Sequence, residues 1–262
     1  MNVKNSQPLV SIVTVVRNGE KFLEQTLRSV TEQSYSNIEY IVIDGLSNDN
    51  TMSIIEKFRD TINVILSESD NGQTDALKKG FDLSKGEILC WMNYDDKFYS
   101  NDTVKSIVDV FINNNVDLVY GNDILVDSEM NTLYPRFFSN HSLNKLVFYK
   151  SISQPSSFFS RRAYKTIGLN EKLVFSMDLD FWIKIFSKYN IKYIDKYLSY
   201  NRIHEDRKMI LYEKEARIES NFLRSKYNKN EFKKNVFYMY FKLTDFKNII
   251  VKVKYKFFSS YF

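Results

Sequence analysis

Several features that assign a chain quickly to a function class are scarce or absent in this sequence. Its 262 residues contain one cysteine, Cys90, so no disulfide can form within the chain. No run of about 18 apolar residues occurs, and residues 1–8 hold no apolar segment, which argues against a membrane-spanning helix and a secretory signal. A G-x-G-x-x-G pattern and a P-loop are also missing, which disfavours a dinucleotide-binding oxidoreductase. We therefore expect a cytoplasmic protein of another class.

Charge is unevenly distributed along the chain. Residues 221–262 hold ten lysines and arginines against Glu231 and Asp245, together with 13 aromatic residues. The net charge of the whole chain is +5, so this stretch carries +8 and residues 1–220 carry −3. A basic and aromatic composition suits contact with an anionic membrane surface. Nucleic-acid binding is the weaker interpretation, because no RNA- or DNA-binding motif is present and the main body is acidic.

The last part of the chain is consequently expected to form a separate extension. Residues 207–262 are predicted to be a helical, basic and aromatic C-terminal extension that contacts the membrane. The alternative is an extension packed on the main domain. The apolar residues between 246 and 258 fit one face of a helix, but they also fit the alternation of a strand.

The first half of the chain alternates between two periodicities. Apolar, β-branched runs predict strands at residues 9–16, 38–44, 64–67, 87–93 and 116–120. Helical patterns lie between them at residues 20–33, 51–59, 74–83 and 103–113, and one returns at residues 178–189. Such alternation predicts an α/β fold with a mostly parallel, doubly wound sheet and flanking helices. Residues 121–140 are less regular, and we expect them to be rich in strands.

Polar and acidic residues follow each predicted strand. They occupy residues 17–19, 44–49, 68–72 and 93–96. Ligands of parallel sheets bind at the carboxyl ends of the strands, so these residues are expected to surround a ligand. Acidic groups that converge there repel one another unless a cation lies among them, and a divalent metal with a bound diphosphate satisfies this condition. Each loop taken alone is also compatible with a solvated turn.

Six short segments, in this order, resemble the family 2 glycosyltransferases of the GT-A fold. The segments are residues 10–19, 41–51, 67–80, 93–96, 177–182 and 202–205. They are most similar to the bacterial members that build O-antigen, capsule and other exopolysaccharides. The resemblance covers residues 8–206. It implies a GT-A domain at residues 1–206, with a nucleotide-sugar half at about residues 8–122 and an acceptor half at 123–206.

The resemblance also implies which residues bind the nucleotide-sugar donor. Asp44 matches the carboxylate that accepts a hydrogen bond from the base, which favours a UDP-sugar. The alternative for Asp44 is a helix N-cap, and for Lys79 a solvated helix lysine. The implied donor-binding residues are Arg17, Asn18, Asp44, Ser47, Glu68, Asp75, Lys79, Asn93, Tyr94 and Asp95.

Residues 93–96 stand where the family has its metal-binding Asp-X-Asp, with Asn93 in place of the first aspartate. The resemblance implies that Asp95 and Asp96 bind Mn²⁺ or Mg²⁺, and that His204 reaches the cation or a phosphate. A bound cation neutralises the diphosphate as it leaves. The alternatives are a helix cap for Asp95 and a surface position for His204.

Asp178 matches the general base of the family, which takes the proton of the attacking hydroxyl and so inverts the anomeric carbon. The implied activity is metal-dependent transfer of a hexosyl or N-acetylhexosaminyl group from a nucleotide diphosphate to a polyprenyl-diphosphate-linked saccharide. This reaction would take place at the inner face of a bacterial membrane, in O-antigen, lipopolysaccharide or capsule biosynthesis. A noncatalytic nucleotide-sugar-binding protein is the alternative, because Asn93 and Met177 replace expected acids.

Overall fold

The computed structural model describes residues 7–227, 231–245, 248 and 250, with the side chains of residues 231–234 left out. Most of the segment that fits both a helix and a strand, residues 246–258, therefore lies outside the described residues.

The described strands form one mixed sheet. The five strands predicted in the first half are confirmed, and the last of them continues past Gly121. The strands are β1 (Val10–Val16), β2 (Ile38–Asp44), β3 (Val64–Ser67), β4 (Ile88–Asn93), β5 (Lys97–Phe98), β6 (Leu118–Val126), β7 (Thr132–Arg136), β8 (Ser157–Ser160) and β9 (Ile191–Arg202).

The sheet is mostly parallel, as the sequence predicts. Its order is β3-β2-β1-β4-β8-β6-β9-β5, and β7 pairs with β6 outside this path. Strands β1 to β4 pair in parallel, β8 is antiparallel to both β4 and β6, and β9 is parallel to β6. Six strands, β1 to β4 with β6 and β9, therefore run in the same direction, and their carboxyl ends meet at one edge.

Helices cover both faces of the sheet. They are α1 (Leu23–Thr31), α2 (Thr51–Glu56), α3 (Gln73–Leu83), α4 (Thr103–Asn113), α5 (Leu143–Phe148), α6 (Arg161–Ile167), α7 (Met177–Lys188), α8 (Lys208–Leu211), α9 (Glu213–Tyr227) and α10 (Glu231–Thr244). The predicted helix at residues 20–33 is shorter at both ends, and the one at residues 51–59 breaks into α2 and a 3₁₀ turn at Arg59–Thr61.

The two faces bury separate apolar clusters. Alternate residues of β1 point to opposite sides: Val13 and Val15 join α3, α5, α6 and α7, whereas Ile12 and Val16 join α1, α2 and α4. On the first side the Trp91 and Trp182 rings stack at 5.7 Å between centroids. An aromatic pair of this kind adds about 0.5–1.5 kcal/mol beyond its buried area.

The described part of the C-terminal extension packs on the main domain. In α10, Phe237 stacks on Phe148 of α5 with ring centroids 5.3 Å apart, and Leu223 of α9 is buried in the core. Other apolar side chains of these helices stay exposed, among them Leu211, Phe222 and Leu243. Over the described residues, no helix combines the length and the apolarity that a membrane crossing requires.

Candidate functional site

A cleft of about 810 Å³ lies at the carboxyl ends of β1 and β4. Its walls also include the start of α3, the end of β7, the loop before β8, the start of α7 and the residues that follow β9. This is the edge at which parallel sheets bind ligands.

The structure places the sequence-predicted site residues in two groups. The first group lines the cleft: Arg17, Asn93, Tyr94, Asp95 and Asp178. The second group lies outside its lining: Asn18, Asp44, Ser47, Glu68, Asp75, Lys79, Asp96 and His204. The functional roles of both groups stay predictions.

The loops that follow β1 and β2 hold each other in place. Asn18 adopts a positive φ of 54°, its backbone N–H donates to the Ser47 hydroxyl at 2.8 Å, and its side-chain oxygen accepts from the Asn48 N–H at 3.0 Å. Gly19 N–H donates to the Thr51 hydroxyl at 2.8 Å. Asn18 and Ser47 thus fix the shape of the loop beside Arg17.

Asp44 ends β2 and is fully buried. Its carboxylate accepts hydrogen bonds from the N–H and the hydroxyl of Ser47 and from the Ser67 hydroxyl. These three donors make four hydrogen bonds, two on each carboxylate oxygen, and so use the roughly four lone-pair positions that a carboxylate offers. The Ser47 hydroxyl would have to move for a base to reach Asp44. Asp44 is not the cap of α2, because the Thr51 N–H donates to Asp49 at 2.9 Å.

Three predicted donor-site residues form an ion-pair cluster at the start of α3. The Lys79 ammonium lies 2.8 Å from Glu68, 3.5 Å from Asp75, and donates to the Ser69 carbonyl at 2.7 Å. The hydrogen bond from the Asn71 N–H lowers the pKa of Asp75. Lys79 is therefore not a freely solvated lysine, and its charge is balanced by the two carboxylates.

Asn93 connects three parts of the cleft. Its side-chain oxygen accepts from Gln73 of α3 at 2.9 Å. Its amide nitrogen donates to Gln154 at 2.7 Å and to the Asp96 carboxylate at 3.2 Å. An aspartate cannot make the last two bonds, since a carboxylate has no hydrogen to donate. The departure from the Asp-X-Asp pattern is thus accommodated by two glutamines and an aspartate.

Asp95 and His204 form the next contact. The ring nitrogen Nε2 of His204 lies 3.0 Å from Oδ2 of Asp95, and the ring packs against Phe22 at 4.7 Å between centroids. Its other nitrogen, Nδ1, is buried without a hydrogen-bond partner among the described residues. His204 is only 7% exposed, so it is not a surface histidine.

Arg202 holds the turn that carries Asp95 and Asp96. Its Nε donates to the Asp95 carbonyl at 2.9 Å, and its backbone N–H donates to the Asp96 carboxylate at 3.0 Å. Asp96 is 1% exposed. Burial, followed by the charge of Asp95, raises the pKa of Asp96 to about 7. Asp96 therefore acts within the turn, whereas Asp95 faces the cleft.

Asp178 lies in the first turn of α7 and lines the cleft. The residue is partly exposed to the cleft, yet protein atoms surround the carboxyl group closely. This desolvation raises the pKa of Asp178 to about 6, and the Leu179 N–H, which donates at 2.7 Å, opposes the shift. The charges of Arg224 and Arg207 also oppose it. Asp180 is directed elsewhere and pairs with Lys184 at 2.6 Å.

Several cleft residues were not predicted from the sequence. They are the two glutamines Gln73 and Gln154 and the cations Arg136, Lys150, Arg207, Lys208 and Arg224. Arg136 and Lys150 lie in the irregular region after β6, where no periodic pattern marks them. Arg207 and Lys208 follow the segment that resembles the family, so their proximity to His204 was the available signal.

A cluster of three or more His, Cys, Asp or Glu residues able to hold a metal is absent from the described residues. Asp95 and His204 are the pair that fits one. Their 3.0 Å separation is close to the roughly 3 Å between neighbouring ligands on an octahedral cation bound at about 2.1 Å. Mg²⁺ and similar ions usually take few protein ligands and complete their shell with phosphate oxygens and water.

Comparison with known proteins identifies relatives of the same type. An uncharacterized glycosyltransferase of Rickettsia typhi is 29% identical over 215 residues, which are 78% of this chain and 67% of that protein. A PGL/p-HBAD biosynthesis glycosyltransferase of Mycobacterium tuberculosis is 30% identical over 186 residues, 69% of this chain and 70% of that protein. The chain spans only 34% of the length of a related uncharacterized glycosyltransferase of Rickettsia conorii.

Solved structures share the fold. Staphylococcus aureus TarS 1–349 in complex with UDP-GlcNAc matches with a TM-score of 0.65 and 19% identity, over 77% of this chain and 60% of that one. The mannosyltransferase PcManGT from Pyrobaculum calidifontis, in complex with GDP-Man and Mn²⁺, matches with a TM-score of 0.67 and 15% identity, over 86% of this chain and 66% of that one.

The mostly parallel sheet with flanking helices, together with the structural match to these glycosyltransferases, confirms the predicted GT-A fold. The family model described as glycosyl transferase family 2 matches residues 11–168, which is more than half of the chain. The chain belongs to glycosyl transferase family 2.

Proposed function

We propose that this protein is an inverting glycosyltransferase that moves a sugar from a nucleotide diphosphate to a hydroxyl of a lipid-linked saccharide. The observation that supports this most directly is that Asp95 and Asp178 line one cleft. Asp95 is held by His204, and burial raises the pKa of Asp178 to about 6. In this proposal Asp95 would hold a diphosphate-bound cation, and Asp178 would accept a proton.

The donor would occupy the end of the cleft near β1 and α3. Arg17 lies there with Gln73, while Asp44 and the cluster of Glu68, Asp75 and Lys79 support the surrounding loops. TarS and PcManGT have been solved with UDP-GlcNAc and GDP-Man, which supports a nucleotide-sugar donor of this general kind. We favour UDP, because Asp44 matches the family carboxylate that accepts a hydrogen bond from the base; the Ser47 hydroxyl would have to release Asp44 for a uracil N–H to bind there.

Asp95 and His204 would hold the divalent cation, with Asp96 stabilising the turn beneath them. When bound, Mn²⁺ or Mg²⁺ supplies the positive charge that stabilises the leaving diphosphate. Asp178 would accept the proton of the acceptor hydroxyl as this oxygen attacks the anomeric carbon. Attack from the side opposite the diphosphate inverts that carbon. With a pKa of about 6, Asp178 is mostly ionised at pH 7 and so is ready to act as the base.

Thermal shift with UDP-, GDP- and dTDP-sugars, with and without Mn²⁺, tests the donor site. We expect one donor to stabilise the protein in the presence of Mn²⁺, and Asp95→Asn to abolish the effect. The matched control is Asp109→Asn, because Asp109 is exposed on α4, outside the cleft. If no donor stabilises the wild-type protein, the proposed donor site is wrong.

Product analysis separates an enzyme from a nucleotide-sugar-binding protein. Wild-type protein should release UDP from the stabilising donor, slowly with water and faster with a saccharide acceptor. Binding without any release, under conditions that give Mn²⁺-dependent stabilisation, would favour the noncatalytic alternative.

We further propose that the protein works at the inner face of a bacterial membrane, in surface polysaccharide biosynthesis of the O-antigen or capsule type. Helices α8 and α9 expose Met209, Leu211, Ile218 and Phe222, each at 48% or more, and the chain beyond residue 221 carries +8. Apolar side chains and lysines together favour anionic lipid.

Co-sedimentation with vesicles of phosphatidylglycerol and phosphatidylcholine tests this location. Leu211→Gln combined with Phe222→Gln should reduce binding to the anionic vesicles. Ile112→Gln is the control, since Ile112 is a partly exposed apolar residue of α4. Equal binding of all three proteins would rule out a contact through α8 and α9.

A further inference from the structure

The cleft contains a second group of cations, away from the residues assigned to the donor. Arg136, at the end of β7, and Lys150, in the loop before β8, both line it. Strand β7 is separated from β1 by β4, β8 and β6, which is four strand spacings or roughly 19 Å along the sheet. Arg136 and Lys150 therefore lie at the end of the cleft opposite Arg17.

Arg136 is oriented rigidly. Its Nε donates to Oδ1 of the buried Asp123 at 2.7 Å, and its Nη2 donates to Oδ2 of the same carboxylate. This arrangement uses one edge of the guanidinium group and leaves Nη1 without a hydrogen bond to the described residues. A guanidinium group fixed in this way is well suited to bind a second oxyanion with its remaining N–H groups.

Lys150 is partly buried, and its contacts within the protein are long. Its Nζ lies 3.4 Å from the Phe137 carbonyl, 3.8 Å from Asp245, and 4.6 Å from the centroid of the Phe138 ring. Burial lowers the pKa of Lys150 to about 8; the charge of Asp245 opposes this shift, and the charge of Arg136 adds to it. Two cations that repel each other in a cleft are stabilised when an anion lies between them.

Ser151, which follows Lys150, adds an uncharged hydrogen-bond donor. The hydroxyl oxygen of Ser151 is buried without a hydrogen-bond partner among the described residues, and Ser151 also lines the cleft. Over the cleft lining, six side chains are cationic and four are carboxylates, while Asp123 and Asp245, outside the lining, pair with Arg136 and Lys150. The cations are Arg17, Arg136, Lys150, Arg207, Lys208 and Arg224, and the acids are Asp70, Asp95, Asp178 and Asp206.

The partner of Arg136, Asp123, is connected to Asn93 and Asp95 by a short series of contacts. The Ser153 hydroxyl donates to Asp123, and the next residue, Gln154, binds Asn93 beside Asp95. The side chains of Arg136 and Lys150 thus lie on the far side of Asn93 as viewed from the donor end. An anion bound there would be separated from the donor end by Asn93, as a phosphate of the second substrate would be.

We infer that Arg136 and Lys150, with Ser151, form an anion subsite that binds a phosphate group of the acceptor. This inference rests on the proposed function, since it assigns the opposite end of the cleft to the donor. The phosphate would belong to the ester that links the saccharide to a lipid, or to a soluble sugar phosphate. Both sources present the same tetrahedral oxyanion to the two cations.

Calorimetric titration of the full chain, saturated with UDP and Mg²⁺, tests the subsite with three probes: octyl phosphate, inorganic phosphate and octanol. We expect octyl phosphate to bind and octanol not to bind. Lys150→Met should weaken phosphate binding at least about tenfold, because it removes one charge-assisted contact. Tighter binding of octyl phosphate than of inorganic phosphate assigns the subsite to a lipid-linked acceptor, and equal binding assigns it to a soluble sugar phosphate.

Lys145→Met is the matched control. Lys145 lies in α5, is more deeply buried than Lys150, and donates to the Ser139 hydroxyl at 2.9 Å, but it does not line the cleft. Its substitution removes the same charge and should change phosphate binding less than about twofold. Arg136→Lys keeps the charge but loses the planar guanidinium group with its paired N–H donors, so it should also weaken phosphate binding. Circular dichroism checks that this variant folds.

Three results would overturn the inference: no phosphate binding to the wild-type protein, equal loss in the Lys145 and Lys150 variants, or competition between UDP and phosphate. The last result would mean that the probe occupies the nucleotide site. Failure of UDP to bind would instead overturn the proposed donor site, and the phosphate titrations of the unliganded protein would still report on Arg136 and Lys150.

Discussion

His204 lies directly beside Asp95: its Nε2 is 3.0 Å from Oδ2 of that carboxylate. The ring is fixed by Phe22, at 4.7 Å between centroids, and Phe22 also lies beneath the Arg202 guanidinium group at 4.4 Å. Because Arg202 binds the Asp95 carbonyl, the backbone and the side chain of Asp95 are oriented by the same end of β9. The position of this carboxylate is therefore set by residues more than 100 positions away in the sequence.

Replacing His204 should weaken the binding of the metal. In His204→Gln the carboxylate of Asp95 loses its fixed partner, and we expect the Mn²⁺ concentration needed for donor binding to rise about 10- to 100-fold. The measurement is a Mn²⁺ titration of donor-induced stabilisation. His141→Gln is the control, because His141 is a buried histidine that packs against Tyr120 and does not line the cleft. Identical titrations for the wild type and His204→Gln would contradict a role of His204 at this site.

Restoring the family's first aspartate should destabilise this protein. In Asn93→Asp the amide that donates to Gln154 and Asp96 becomes a carboxylate, which places like charges about 3.2 Å apart. We expect a loss of about 1–3 kcal/mol in the free energy of unfolding at pH 7.5. Asp96 has a pKa of about 7, so protonation at pH 5.5 should relieve part of this loss.

Urea denaturation at the two pH values measures the effect of Asn93→Asp. Asn115→Asp is the control, since residue 115 is exposed after α4, and it should change stability by no more than about 0.5 kcal/mol. Equal stability of wild type and Asn93→Asp at pH 7.5 would show that Asn93 is not needed to separate the charges.

The sequence predicts the first half of the fold well, because each element there has a clear periodicity. Strand β6 shows where periodicity fails. The predicted strand ends at Tyr120, just before Gly121, a residue type that weakens strands, yet β6 continues to Val126. At Gly121 a Cβ atom would lie 2.7 Å from the Lys196 carbonyl oxygen, so the glycine is needed for the close approach of β9. Contacts between distant segments of this kind leave no local pattern.

The residues of the site could likewise be predicted from the sequence only in part. Asp95 and Asp178 could be identified by their order in recognisable segments, and the structure places both in one cleft. The partners of Asn93 could not be identified, because Gln73 and Gln154 are common polar residues that the fold brings together over 81 positions of sequence. The cations Arg136 and Lys150 were missed for the same reason.

Gly80 fixes the distance between α3 and the sheet. A Cβ atom there would lie 2.4 Å from a methyl group of Val13 in the buried strand β1. Gly80→Ala should therefore lower the free energy of unfolding by about 1–3 kcal/mol, even though alanine favours helices. Chemical denaturation measures the loss. Asp82→Ala, at an exposed position of the same helix, should stay within about 0.5 kcal/mol, and a stabilised Gly80→Ala would show that α3 can move away freely.

Asp178 is expected to act on the rate of transfer and not on donor binding. Asp178→Asn should lower kcat by about 10²- to 10⁴-fold, which is the usual contribution of a general base. Donor-induced stabilisation should be unchanged. Asp180→Asn is the control in the same helix, because Asp180 pairs with Lys184 and lies outside the cleft lining. An Asp178→Asn protein with normal kcat would exclude Asp178 as the base.

The pH dependence of the wild type gives an independent test of Asp178. The base must be ionised, so kcat/KM should rise with pH and level off above about pH 6, with a fall of about tenfold for each unit below it.

The contribution of Asp178 to the free energy of unfolding should change with pH in the opposite direction. The folded-state pKa is raised above the ordinary 3.8, so this carboxyl group favours the folded state fully below pH 3.8, and that contribution is lost as the pH rises through about 6. Arg224 lowers the pKa of Asp178, so Arg224→Met should move the kinetic limb to higher pH. If kcat/KM rises at the same pH in Arg224→Met as in the wild type, a group other than Asp178 controls the pH dependence.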